Sequence, residues 1–249
     1  MKKTLNLGWL YPDLMGIYGD RGNIIALTKR CEWRGITVIL KPVTLDSALS
    51  ELRSADILMM GGAQDRQQTI VAKDLEKKKS ILQEKIENGT PGLFICGGFQ
   101  FLGKYYKESD GTVIRQLGVL DVYTENPGGK RLIGNIAVDA SDFFGDKTVL
   151  IGFENHGGRT KLGKEVKPLG KVLKGFGSNA EDGQEGAVYK NSIGTYLHGP
   201  ILPKNPVLTD WLIQKALEKK YKEPITLAPL DDTLALKAHD KMLQTLHSS

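Results

Sequence analysis

Hydrophobic and polar positions in the first hundred residues fall into short apolar runs separated by stretches of helical spacing. Thr4 to Leu10 alternates and predicts a strand. A helix opens at Gly22-Asn23, with Ile24, Leu27 and Cys31 on one face and Gly35 just past its end. Ile36 to Leu40, Asp56 to Met60 and Gly92 to Ile95 are short apolar or β-branched runs of buried-strand length. Between the last two, Val71, Leu75, Leu82 and Ile86 recur at helical spacing. Strands separated by helices in this way predict crossover units and a mainly parallel sheet covered on both faces. After Gly111 the rhythm changes to closely spaced strand candidates at Leu117 to Tyr123, Arg131 to Val138, Val149 to Phe153, Ala187 to Tyr189 and Ile193 to Leu197. They predict antiparallel additions to the same sheet, and Val207 to Lys220 and Thr233 to Leu246 predict closing helices. No repeat, low-complexity tract or Ser/Gly linker divides the chain, so one α/β domain spanning residues 1–249 is expected.

Composition narrows the function classes. With 40% hydrophobic and 25% charged residues the chain is neither disordered nor built for lipid. Its longest apolar run, near Ile57 to Met60, falls far short of the ~18 residues a spanning helix needs. Met1-Lys-Lys-Thr opens like a signal peptide, but Asn6 interrupts the apolar stretch, Tyr11-Pro-Asp ends it and no small-residue cleavage site follows, so a cytoplasmic location is expected. The net charge of +5 is spread along the chain. Its densest cationic stretch, Lys73 to Lys79, mixes signs within a helical pattern and reads as a solvated face, so no nucleic-acid partner is expected. Cys31 shares an apolar helix face and reads as core. Neither a disulfide framework nor a metal site has the required spacing, and the glycines at Gly16, Gly19 and Gly22 and around Gly158 match neither phosphate-loop pattern.

The chemistry concentrates at Gly92-Leu-Phe-Ile-Cys96-Gly-Gly-Phe-Gln100. A buried strand runs into Cys96, then into two small residues and a helical pattern. Such an elbow places a nucleophile at the carboxyl end of a sheet, beside helix N-terminal N–H groups that favour the thiolate and can hold an oxyanion. A nucleophilic cysteine needs a base. His198 ends the apolar strand Ile193-Gly-Thr-Tyr-Leu-His198 and is the first candidate; His156, in Gly152-Phe-Glu-Asn-His156-Gly-Gly-Arg-Thr160, is the competitor or else orders its loop. His239 and His247 read as surface residues.

Taken together, Cys-Gly-Gly-x-Gln after a buried strand, Gly-Phe-Glu-Asn-His-Gly-Gly-Arg-Thr in the middle and Gly-Thr-Tyr-Leu-His-Gly-Pro near the end resemble the class I (triad) glutamine amidotransferase domains of the cobyric acid synthase type. Within that family, Tyr11-Pro-Asp-Leu-Met-Gly-Ile-Tyr-Gly-Asp-Arg-Gly-Asn23 and the length of the chain resemble the glutaminase subunits of lipid II isoglutaminyl synthases. The resemblance implies a flavodoxin-like fold with Cys96 as nucleophile and His198 as general base. It also implies an oxyanion hole from the backbone of Gly62, Ala63 and Gly97, with Gln100 facing bound L-glutamine and Arg131 clamping its α-carboxylate. No cofactor is implied for this chain. ATP and Mg would serve a Mur-ligase-like synthetase partner that amidates D-glutamate of lipid II to D-isoglutamine, work that places the pair near the inner face of the membrane. One departure stands out: the family commonly carries a Glu two residues after the histidine, where this chain has Pro200. Either the dyad works alone or a partner supplies the acid. A stand-alone cysteine-dependent amide hydrolase, a subunit serving another acceptor such as a cobyric acid precursor, and a non-catalytic binding module are the competing readings.

Overall fold

The computed structural model describes residues 2–16, 20–62, 65–145 and 147–248. Strands and helices alternate through the first part: β1 (Thr4–Leu10), α1 (Arg21–Glu32), β2 (Thr37–Val43), α2 (Leu49–Ser54), β3 (Ile57–Met60), α3 (Asp65–Glu87) and β4 (Gly92–Ile95). Short elements follow: α4 (Gly97–Leu102), β5 (Tyr105–Lys107), β6 (Val113–Arg115), β7 (Val122–Glu125), β8 (Leu132–Asp139), α5 (Ser141–Phe144), β9 (Val149–His156), β10 (Arg159–Leu162), β11 (Gly170–Lys174), β12 (Gln184–Glu185), β13 (Ala187–Tyr189) and β14 (Ser192–Thr195). The chain closes with α6 (Ile201–Lys204), α7 (Pro206–Tyr221) and α8 (Thr233–Ser248). No helix among the described residues is long and apolar enough to cross a membrane.

The main sheet has the order β13-β14-β4-β3-β1-β2, parallel throughout except for β13 at one edge. β3 and β4 are buried at every position, as central strands covered on both faces must be. Parallel strands align their carboxyl ends, so the turns after β1, β3, β4 and β14 share one edge.

The second half departs from the expected single sheet. β10-β7-β5-β6 and β12-β11-β8-β9 form two separate four-stranded sheets. β8 and β9 pair along eight residues with each other, and among the described residues β9 meets the segment that follows β14 at the Phe153 and His198 bridge. The run from Leu117 is strand only from Val122: the N–H groups of Leu117, Gly118, Val119 and Leu120 instead donate to the carbonyls of Phe101, Leu102 and Gly103, satisfying the C-terminal end of α4. α2 escaped the sequence pattern because six residues with one buried side chain, Leu52, show no period.

The charged face expected between Lys73 and Lys79 is only partly solvated. Asp74 and Lys78 are buried and paired, and Tyr11 donates its hydroxyl to Asp74 at 2.8 Å. These contacts fasten α3 to the segment that follows β1. Lys78→Ala would leave a buried carboxylate with the Tyr11 hydroxyl alone, and a loss of about 3 kcal/mol or more in urea unfolding is expected. An unchanged midpoint would show that water replaces the ammonium.

Candidate active site

Cys96 sits where β4 turns into α4, with φ 52° and ψ −108°. A non-glycine residue held there carries strain on the order of 1–3 kcal/mol, which the surroundings must hold in place. Three hydrogen bonds do so. The Cys96 N–H donates to the Thr195 carbonyl at 2.9 Å, the Gln100 N–H to the Cys96 carbonyl at 2.9 Å, and the Gly98 N–H to the Gly61 carbonyl at 3.1 Å. The elbow is therefore tied to β14 on one side and to the end of β3 on the other.

His198 reaches the same edge from β14 and is fully buried. Its backbone exchanges both hydrogen bonds with Phe153 of β9, at 2.8 and 3.2 Å. Upstream, the buried Glu185 carboxylate accepts the Thr195 hydroxyl and the Tyr196 N–H, each at 2.7 Å, and the Ser178 hydroxyl at 2.9 Å, which fixes the strand end. Burial alone would pull the His198 imidazole down. Asp20 and Cys96 more than offset it and push it up to about 9. The His198 Nδ1 lies 3.8 Å from Asp20 Oδ1, an ion-pair separation longer than a direct hydrogen bond. That orientation leaves Nε2 for the sulfur.

The structure thus brings His198, not His156, to Cys96. His156 is buried on β9, donates from Nδ1 to the Gly158 carbonyl at 2.7 Å and stacks on Tyr196 at 3.7 Å between centroids. It orders the Gly157-Gly158 turn. Glu154, two residues earlier on the same face, accepts the N–H groups of Phe176 and Gly177 at 2.7 and 3.0 Å.

Gln100 is buried rather than on a helix surface, and its Nε2 donates to the Tyr196 hydroxyl at 3.0 Å. The Tyr196 hydroxyl is 2.6 Å from Thr160 Oγ1, which lies 2.7 Å from Thr124 Oγ1. This chain of hydroxyls holds the Gln100 amide. Gly158 fits because it has no side chain: a Cβ there would stand 2.8 Å from Gln100 Nε2 and 2.6 Å from Thr124 Cγ2. Gly158→Ala is therefore expected to displace Gln100 and to lower kcat/KM for a glutamine substrate by roughly tenfold or more, since a misplaced contact of ~1 Å has such effects. Steady-state kinetics would check it.

Arg131 lies at an exposed position just before β8. Its Nε and Nη2 donate to Asn155 Oδ1 and O, each at 2.8 Å, and its Nη1 faces Gly157. Beside the Gly157-Gly158 turn opens a cleft of about 530 Å³, with Phe101, Tyr106 and Asn126 among its lining residues. The expected oxyanion donors separate. The Gly97 N–H, first in α4, has no partner among the described residues. The Gly62 N–H is already taken, donating to Asp20 Oδ2 at 2.9 Å, so Gly62 does not present a free donor. Ala63 lies outside the described residues.

Sequence reasoning missed Asp20, Glu185 and Tyr196. Cys31 is core as expected, and burial pushes its thiol up to about 12. His239 is not a surface residue, since its Nε2 lies 2.9 Å from the Val149 carbonyl and seats α8 on β9; the His247 side chain is outside the description. Among the described residues no three His, Cys, Asp or Glu side chains group as a metal set.

Residues 6–206 match the family model of the CobB/CobQ-like glutamine amidotransferase domain. The chain is 49% identical over 208 residues to the lipid II isoglutaminyl synthase (glutamine-hydrolysing) subunit GatD of Staphylococcus aureus, covering 84% of this chain and 82% of that one. Its identity to the corresponding GatD subunit of Streptococcus pneumoniae is 45% over 231 residues, covering 93% and 87%. A cobyric acid synthase of Listeria innocua is 30% identical over 70% of this chain, which spans 34% of that relative. Among solved structures, a glutamine amidotransferase superposes with a TM-score of 0.58 at 17% identity, covering 84% of this chain and 98% of the other. The glutaminase domain of Trypanosoma brucei CTPS does so with a TM-score of 0.52 at 11% identity, covering 90% and 96%.

Proposed function

This chain belongs to the CobB/CobQ-like glutamine amidotransferase family, and from that membership we propose that it is the glutamine-hydrolysing subunit of a lipid II isoglutaminyl synthase. The observation that carries the chemistry is the strained Cys96 elbow facing His198 in one buried sheet edge. The likeness to the two GatD subunits over most of both chains carries the choice of substrate.

In this reading the Cys96 thiolate adds to the carboxamide carbon of L-glutamine, and the carbonyl oxygen takes the charge against backbone N–H groups that include Gly97. The tetrahedral adduct collapses as His198 protonates the leaving nitrogen, which departs as ammonia. A thioester to Cys96 remains. Water, losing its proton to His198, adds to the thioester, and glutamate leaves as the sulfur recovers its electron pair. Gln100, held by Tyr196, meets the substrate amide. Arg131, with two guanidinium nitrogens held by Asn155, has Nη1 free to take one oxygen of the α-carboxylate. The acceptor reaction belongs to a partner subunit, a Mur-ligase-like synthetase using ATP and Mg to activate the D-glutamate carboxyl of lipid II.

The test is glutamate release from L-glutamine by the purified chain, alone and co-purified with a Mur-ligase-like partner, with Cys96→Ala in parallel. Activity that needs Cys96 and rises with the partner supports the subunit reading. Full activity without any partner favours a stand-alone amide hydrolase. Failure of either preparation to release glutamate discards the glutaminase.

A further inference from the structure

Asp20 stands at the N-cap of α1, the position where an aspartate normally accepts N–H groups of the first helical turn. Here its side chain makes no capping bond. It turns inward, 4% exposed, with Oδ2 accepting the Gly62 N–H at 2.9 Å and Oδ1 at 3.8 Å from His198 Nδ1. No group other than the His198 ring is placed to use Oδ1 among the described residues. We propose that Asp20 is the positioning residue for His198, supplied by this chain in place of the missing glutamate after the histidine, and that its second oxygen fixes the end of β3 beside the elbow.

This inference rests on the glutaminase reading for its catalytic meaning, but its geometry is independent of substrate. Two further contacts lock the start of α1 against residues 200–202, and a third packs Asp20 on the end of β3. Asn23 Oδ1 accepts the Leu202 N–H at 2.9 Å. Gly22 lies so close to Pro200 that a Cβ would come within 2.5 Å of its ring, and a Cβ on Gly61 would collide with the Asp20 carboxylate. Asp20 thus places one carboxylate between the base and the end of β3. Asp20, from the β1–α1 connection, and Cys96, from the β4–α4 turn, are the titratable groups bearing on the His198 ring; Lys204 of α6 comes up against the neighbouring Gly199. With a carboxylate facing Nδ1, that nitrogen carries a proton and Nε2 is the one that exchanges a proton with Cys96 and the leaving group.

Asp20→Asn tests the assignment in the full-length protein. Its amide oxygen can still accept the Gly62 N–H, while its NH₂ faces Nδ1 and forces the proton onto Nε2, the wrong tautomer. The kcat for glutamine is expected to fall by on the order of 100-fold with KM changed less than about threefold. Two readouts need no substrate. The rate of Cys96 alkylation by iodoacetamide at neutral pH is expected to fall several-fold, with buried Cys31 inert. The ¹⁵N-detected titration of His198 is expected to drop from near 9 in the wild type to a lower value in the variant. An alkylation rate and titration identical to wild type overturn the proposal. So does a wild-type His198 that titrates below 6.5, a measurement that stands even if the variant fails to fold. Were the wild type inactive on glutamine while both shifts appear, the positioning role would hold and the glutaminase reading would fall.

Discussion

Cys96→Ala is expected to release glutamate from L-glutamine on the order of 10⁴-fold or more slowly than the wild type, with a melting temperature changed by only a few degrees. The size follows from covalent catalysis: removing the nucleophile of a coupled nucleophile and base costs nearly as much as removing both. The small thermal effect follows from the backbone. A methyl group replaces a methylene thiol in a nearly filled site, while the three hydrogen bonds that pin the elbow are main-chain bonds and survive. The variant keeps the φ of 52° at residue 96, so Cys96→Gly, which meets no steric penalty there, should be slightly more stable than Cys96→Ala. Retention of more than about one per cent of wild-type turnover in Cys96→Ala would remove the thioester from the mechanism. A collapse of the fold would instead mean that the sulfur itself holds the sheet edge together.

The elbow at Cys96 was legible in the sequence because strand, turn and helix are local. A four-residue apolar run, two glycines and a glutamine four residues on define the turn without reference to the rest of the chain. His198 was legible for a similar reason, since Ile193 to Leu197 reads as an apolar strand that stops at a turn. Asp20 was not. In sequence it is one of several polar residues before a helix and matches an ordinary N-cap, and only the packing of Gly61 and Pro200 against the start of α1 turns its carboxylate inward. The same limit hid Glu185, a two-residue-strand carboxylate whose three donors come from residues 178, 195 and 196. The two additional sheets were missed because hairpin pairing is decided by which edges are free. Eight-residue β8 and β9 satisfy each other before either can extend the main sheet. Periodicity located most of the strands and could not assign them to sheets.

His198→Gln carries the second large expectation, and it couples turnover to stability. Glutamine fills a similar volume but neither takes a proton from the thiol nor gives one to departing ammonia, so kcat should fall by on the order of 10³-fold or more. In the wild type, activity should decline as pH rises through about 9, where the imidazolium that protonates the leaving group is lost. The same residue sets a stability slope. The folded His198 is raised to about 9 from the ordinary 6.5, so its favourable interaction with Asp20 and Cys96 is fully present below pH 6.5 and is lost as pH rises toward 9. The shift corresponds to a contribution on the order of 3 kcal/mol at low pH. For a chain of this size that is a difference of roughly 5–10 °C in melting temperature between pH 6 and pH 9.5. The wild type should show this fall and His198→Gln should not, the two curves converging at high pH apart from a constant offset. Parallel melting curves across the whole range would mean that the imidazole sits neutral in the folded site. The ion pair with Cys96 would then have to form only after glutamine binds.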